Sequence, residues 1–146
     1  MKIAIACDHG AIDLKDKLVS YLGSQGHQVK DFGTYSNASC DYPDFVAPAA
    51  KAVASGACER GIVLCTTGIG VSITANKVKG IRCALLSDLM SARLTREHND
   101  TNMMALGAGV VGEMLALQIV DIWLSTDFSH EPRHQRRIDK MMAVEE

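Results

Sequence analysis

Residues 61–65, Gly-Ile-Val-Leu-Cys, form an unbroken apolar run that stops at Thr66-Thr67-Gly68-Ile69-Gly70 and passes into a helix-like segment ending near Lys77. An apolar run without polar alternation is what a strand buried on both faces requires, and such strands belong to parallel sheets covered by helices. A strand, a glycine-rich turn and a helix start leave backbone N–H groups without carbonyl partners. The helix dipole adds positive potential there, so the turn can cradle an anion. Cys65 stands at the carboxyl end of the strand, beside those donors, where a thiolate is stabilised. The stretch therefore pairs a candidate base with a seat for negative charge.

The remaining chain repeats the strand–helix alternation. Lys2–Cys7 reads as a central strand followed by Asp8-His9-Gly10. A helix is expected from about Ala11 to Leu22, with Leu14, Leu18, Val19 and Leu22 on one face, and then a short strand over Gln28–Phe32. A polar loop to Tyr42 precedes a helix over Asp44–Ser55, where Pro48 predicts a kink or a later start. Beyond the Gly-rich turn come a strand at Arg82–Leu86, a helix capped by Asp88 and running to about His98, and a strand at Met103–Leu106. An apolar helix over Gly112–Leu124 follows, then a helix opened by Pro132 and extending over about 132–144. The pattern predicts one α/β domain over 1–146, a Rossmann-like three-layer α/β/α sandwich with a five-stranded parallel sheet. Ligands in such sheets bind beyond the carboxyl ends of the strands, which gathers Asp8-His9, Cys65–Gly70, Asp88 and Gly107–Gly109 on one rim.

Composition narrows the classes of function. A net charge of -2 argues against a general nucleic-acid binder, and no apolar run is long enough to span a membrane. The N-terminus shows no signal-peptide pattern. Five cysteines without a Cys-x-x-Cys spacing suggest neither a disulfide framework nor a zinc site, so a reducing cytoplasm fits. Most of these thiols read as small buried hydrophobes, Cys83 in particular.

Each candidate residue has a plain structural reading beside the chemical one. Asp8-His9 can move protons, or Asp8 can cap the first helix with His9 exposed. Thr66-Thr67-Gly68-Ile69-Gly70 is neither a dinucleotide fingerprint nor a Walker loop. It is an oxyanion or phosphate cradle, or simply a tight turn. His98 and Asn99 can supply an acid and an amide, or they close a helix, with Asn99 as a left-handed cap. Arg133 and Arg137, four apart on one helix face, can clamp a phosphate dianion, or they form a solvated basic surface.

Taken together, Cys7-Asp8-His9-Gly10 with Leu14-Lys15, Asp41-Tyr42-Pro43, Cys65 to Ile73 with Ala75-Asn76-Lys77, Gly80-Ile81-Arg82, Ser91-Ala92, His98 to Asn102 and Arg133 to Arg137 closely resemble the ribose-5-phosphate isomerase type B family. That family includes the galactose-6-phosphate isomerase subunits, and the resemblance covers nearly the whole chain. It implies a sugar-phosphate aldose–ketose isomerase working without metal or organic cofactor, as a homodimer with shared active sites, or as a tetramer of paired dimers. It implies Cys65 as the base, His98 as the ring-opening acid and Thr67 as a hydrogen-bonding partner of thiolate or sugar. Asp8, His9, Tyr42, Thr66, Gly68, Ile69, Gly70, Asn99, Gly109, Arg133 and Arg137 are implied to contact substrate, with the His98-Asn99 segment reaching into the neighbouring subunit's site. Ribose 5-phosphate is the expected substrate, with a hexose 6-phosphate such as allose or galactose 6-phosphate as the alternative. A sugar-phosphate sensor without turnover is a further reading.

Two positions depart from the family pattern. Thr66 replaces a usual glycine, at a cost of roughly 1–3 kcal/mol if that glycine has positive φ. Gly109 replaces an arginine that many members use as a phosphate contact from the partner subunit. Its loss weakens phosphate binding by roughly 1.5–3 kcal/mol, or makes room for a longer sugar.

Overall fold

The computed structural model describes residues 1–145. Five strands, β1 (Lys2–Cys7), β2 (Gln28–Asp31), β3 (Arg60–Cys65), β4 (Cys83–Leu85) and β5 (Met103–Gly107), form one sheet. Their order is β2-β1-β3-β5-β4 and every pairing is parallel. The helices are α1 (Ile12–Ser24), α2 (Pro43–Ala54), α3 (Ile69–Asn76), α4 (Leu89–Asn99), α5 (Glu113–Ser125) and α6 (Pro132–Met142).

The apolar runs of β1, β3 and β5 are buried because helices cover both faces. Ile3, Ile5, Ile62, Leu64, Met104 and Leu106 pack with Leu14 and Leu18 of α1 and with Ile119 and Trp123 of α5. Ala4, Ala6, Val63 and Cys65, on the other face, meet Val46, Ala49 and Ala50 of α2 and Val71 and Ala75 of α3. The three-layer sandwich expected from the alternation is the one observed. Strand order reverses between β1 and β3, where Cys7 pairs with Leu64. The reversal leaves Asp8 and Cys65 on neighbouring strand ends, the place where such sheets open a ligand crevice. On the other side of β3, Cys65 pairs with Gly107.

Local chemistry moved several boundaries. Pro48 lies inside α2 without delaying it, because Pro43 opens the helix and Pro48 faces solvent. β4 starts at Cys83 rather than Arg82, whose side chain turns away to donate to the carbonyls of Asn99 and Asp100. Asp88 caps α4 as expected, accepting from the Ser91 N–H at 2.7 Å. The left-handed residue after α4 is Asp100, with φ of 45°, and Asn99 remains helical. Helix α6 ends at Met142 rather than 144, and the Glu145 carboxylate beyond it accepts from the Gly80 N–H at 2.9 Å.

Candidate active site

Cys65 is the last residue of β3 and is 6 % exposed. The chain then turns through Gly68, whose φ of 78° and tight surroundings admit no side chain. A Cβ there would lie 2.6 Å from Leu85 and 2.8 Å from the Leu106 backbone. This turn swings the Gly68 N–H back to donate to the Cys65 sulfur at 3.1 Å. A second N–H of the loop, from Ile69, is spent on Thr67 Oγ1 at 3.2 Å. The expected cradle is therefore partly used internally. The N–H groups of Gly70 and Val71, in the first turn of α3, have no helical carbonyl to bind; Val71 is fully buried, and the half-buried Gly70 N–H is the one open to an anion. Tyr42 closes this side, its ring so near Gly70 that a Cβ at 70 would meet it at 2.6 Å.

Asp8, at the end of β1, does not cap α1. Its carboxylate accepts the Gly10 N–H at 2.8 Å, and α1 begins after Ala11 with no side-chain cap. A buried aspartate held in a turn on the ligand rim keeps its second oxygen for other work. His9 is exposed, and its Nδ1 accepts the Cys40 N–H at 3.3 Å, so the ring carries its proton on Nε2. The Cys40 sulfur lies 3.7 Å from the same nitrogen. Cys7, next to Asp8, is fully buried, and burial, reinforced by the Asp31 and Asp8 carboxylates against the pull of Lys15, pushes its thiol up to about 12. Burial alone pushes Cys83 up to about 12. Neither can serve as a base near neutrality.

Thr66 carries no backbone strain: the only non-glycine residues with positive φ among those described are Asp100 and His130. Its side chain instead fills a slot between two glycines. A Cβ on Gly10 would sit 2.5 Å from Thr66 Oγ1, and one on Gly109 would sit 3.1 Å from Thr66 Cγ2 and 3.0 Å from its carbonyl. Gly109 also donates to that carbonyl at 2.8 Å, within the same chain. The two departures from the family pattern are thus in contact.

The remaining candidates lie elsewhere. Helix α4 runs back against the strands, so His98 and Asn99 sit near the amino ends of β4 and β5. The Asn99 carbonyl accepts from Arg82, just before β4, at 2.9 Å. The His98 ring stacks on His134 of α6 with centroids 4.3 Å apart, tilted by 39°. Arg133 and Arg137 are exposed on α6, with Arg133 Nε 2.8 Å from Glu131 Oε2. Five residues of β5 separate this group from the Cys65 rim, on the order of 15 Å at the usual rise per residue. One chain therefore brings Asp8, His9, Tyr42, Cys65, Thr66, Thr67, Gly68, Ile69, Gly70 and Gly109 together, and does not bring His98, Asn99, Arg133 or Arg137 to them.

Sequence reasoning named Lys15 and His134 among the matching residues but did not see that, with Arg96, they are polar struts holding both groups. Lys15, wholly buried on the inner face of α1, reaches both Asp31 oxygens and the Thr34 carbonyl at 2.8 Å. Its signal was a lysine between Leu14 and Leu18 on an otherwise apolar helix face. Arg96, 3 % exposed, donates to Asp100 Oδ1 at 2.8 Å and to the Thr101 carbonyl at 2.6 Å. His134, 4 % exposed, meets Ser129 Oγ at 2.8 Å. Among the described residues no three His, Cys, Asp or Glu side chains converge as a metal site, and no helix is long and apolar enough to cross a membrane.

Comparison with known proteins matches residues 3–141 to the Ribose/Galactose Isomerase family. The ribose-5-phosphate isomerase B of Escherichia coli is 46 % identical, over 99 % of this chain and 97 % of that protein. The galactose-6-phosphate isomerase subunit LacB of Clostridium acetobutylicum is 43 % identical, over 94 % of this chain and 80 % of its own length. Among solved structures, ribose-5-phosphate isomerase B of Clostridium thermocellum superposes with a TM-score of 0.97 at 52 % identity, covering 99 % of this chain and 97 % of that one.

Proposed function

Because the chain belongs to the ribose/galactose isomerase family, and so is an aldose–ketose isomerase of phosphorylated sugars, we propose that it interconverts ribose 5-phosphate and ribulose 5-phosphate with Cys65 as base. The observation that carries this reading is the Gly68 N–H donated to the Cys65 sulfur at 3.1 Å, on the rim shared by Asp8 and the α3 start. An N–H dipole aimed at sulfur favours the thiolate.

The thiolate takes the proton from carbon 2 of the open aldose, leaving an ene-diolate, and returns it to carbon 1 to give the ketose. The Gly70 N–H at the start of α3 faces the developing oxyanion, with Thr66 and Thr67 hydroxyls and Ile69 lining the approach. Before this, His98 protonates the ring oxygen of the cyclic sugar while Asp8 or His9 accepts the anomeric hydroxyl proton. Arg133 and Arg137 hold the phosphate and thereby fix the reacting carbon near sulfur, with Asn99 and Tyr42 contacting the sugar. Every step is a proton transfer between residue and substrate, so nothing is routed through a metal or organic cofactor.

The catalytic unit is a homodimer. The separation of His98, Asn99, Arg133 and Arg137 from Cys65 within one chain supports this, since a second subunit can supply the missing half to each rim.

Hexose 6-phosphate is the second reading. It is favoured by the similarity to a galactose-6-phosphate isomerase subunit. NMR in deuterated water with ribose 5-phosphate, then allose 6-phosphate, separates the two. Deuterium at carbon 2 with ketose formed faster from the pentose is expected. Faster exchange with the hexose selects the second reading. Binding without exchange of either sugar selects a sensor.

A further inference from the structure

The proposed chemistry leaves several members of the basic α6 motif unused, and of these His134 is the buried one, at 4 % exposure. Its ring stacks on His98 at 4.3 Å. Ser129 ties the arrangement together. Its N–H donates to the Glu97 carbonyl, next to His98, at 3.2 Å, and its Oγ accepts the Glu131 N–H at 3.3 Å. With that oxygen taken as acceptor, the hydroxyl proton is free to point at His134 Nδ1, 2.8 Å away. The charged groups around His134 are His98 from α4, Arg133 and Arg137 from its own helix and the opposing Glu131. Burial first, then His98 and Arg133, lower the basicity of His134. Two imidazolium rings at this spacing would repel, so a proton on one ring disfavours a proton on the other.

We infer that Ser129 and His134 are positioning residues for His98: Ser129 holds His134 neutral with its proton on Nε2, so that a proton taken up by the pair resides on His98, whose ring plane is set by the stack. This rests on His98 being the ring-opening acid. The neutral ring underneath leaves His98 charged and oriented without a carboxylate partner that would hold back its proton.

Ser129→Ala in the full-length protein tests it, because Ser129 is exposed and its loss leaves the fold intact. Cyclic ribose 5-phosphate needs the acid, whereas ribulose 5-phosphate, its carbon-5 oxygen esterified, closes no five-membered ring and does not. The expected result is roughly a tenfold loss of turnover from the aldose, with a displaced acid limb of the pH profile. Deuterium exchange into the ketose should stay within about twofold, and Ser129→Thr should restore the aldose rate. Imidazole NMR should show the His98 titration shifted down and the His134 titration shifted up in Ser129→Ala. Equal losses with both sugars, or unmoved titrations, overturn the inference. His98→Asn separates the underlying assignment: if it turns over the aldose normally, His98 is not the acid. The imidazole titrations then decide alone whether Ser129 and His134 set the proton on His98.

Discussion

Of the thiols near the sheet, Cys65 is set apart by a single hydrogen bond and by what its neighbours lack. Cys65→Ala should lower isomerisation by at least about 10³-fold while substrate affinity, read by calorimetry, stays within a few-fold. Iodoacetamide at pH 8 should inactivate the protein through Cys65 and leave Cys7 unmodified, as peptide mapping would show, because burial holds the Cys7 thiol near 12. Thr66 and Gly109 should be energetically coupled, since the Thr66 methyl lies 3.1 Å from where a side chain at 109 must begin. Gly109→Arg alone should gain little phosphate affinity. Combined with Thr66→Gly it should gain more than the sum of the single changes, with a coupling of about 0.5–2 kcal/mol in a calorimetric double-mutant cycle. The type and spacing of these residues were legible in the chain. Their contact was not, because positions 66 and 109 meet only where β3 and β5 pair.

At the scale of elements, the apolar runs announced β1, β3 and β5, since strands buried on both faces leave no polar alternation. The short edge strand β4 was overextended because Arg82 follows the apolar pattern only until tertiary structure offers its guanidinium two carbonyls. Lys15 joins α1 to β2 in the same way. Lys15→Met should leave Asp31 without its cation and destabilise the fold by about 3 kcal/mol, visible as a lower urea midpoint. Asp31→Asn should cost less, because Asp31 is the more exposed partner and an amide oxygen can still accept from the lysine.

For the whole molecule, the proposed homodimer follows from dividing the proposed site between the two ends of one sheet, and complementation tests it. Mixing inactive Cys65→Ala and His98→Asn proteins after joint refolding should recover about a quarter of wild-type activity, because half the dimers then hold one intact site. Recovery near zero would mean that each chain works alone. The stability curve should also bend on the acid side. His134 is less basic folded than unfolded, so below about pH 6.5 the unfolded chain takes up a proton the native state refuses. Its stabilising contribution is complete above that pH and lost as pH falls. Urea midpoints at pH 5.5 and 7.5 should differ less in His134→Gln than in wild type.

The sequence by itself determined the parallel α/β sandwich, the rim after β1 and β3, and the thiol beside a glycine-rich helix start. These follow from local pattern: apolar runs, caps and a turn that only glycine can make. Only the tertiary structure decided that His98 and Arg133 lie far from Cys65 within a chain, that Thr66 and Gly109 touch, and that Ser129 braces His134 beneath His98. Each of these depends on where a helix returns against the sheet, and that is set by packing between residues distant in sequence.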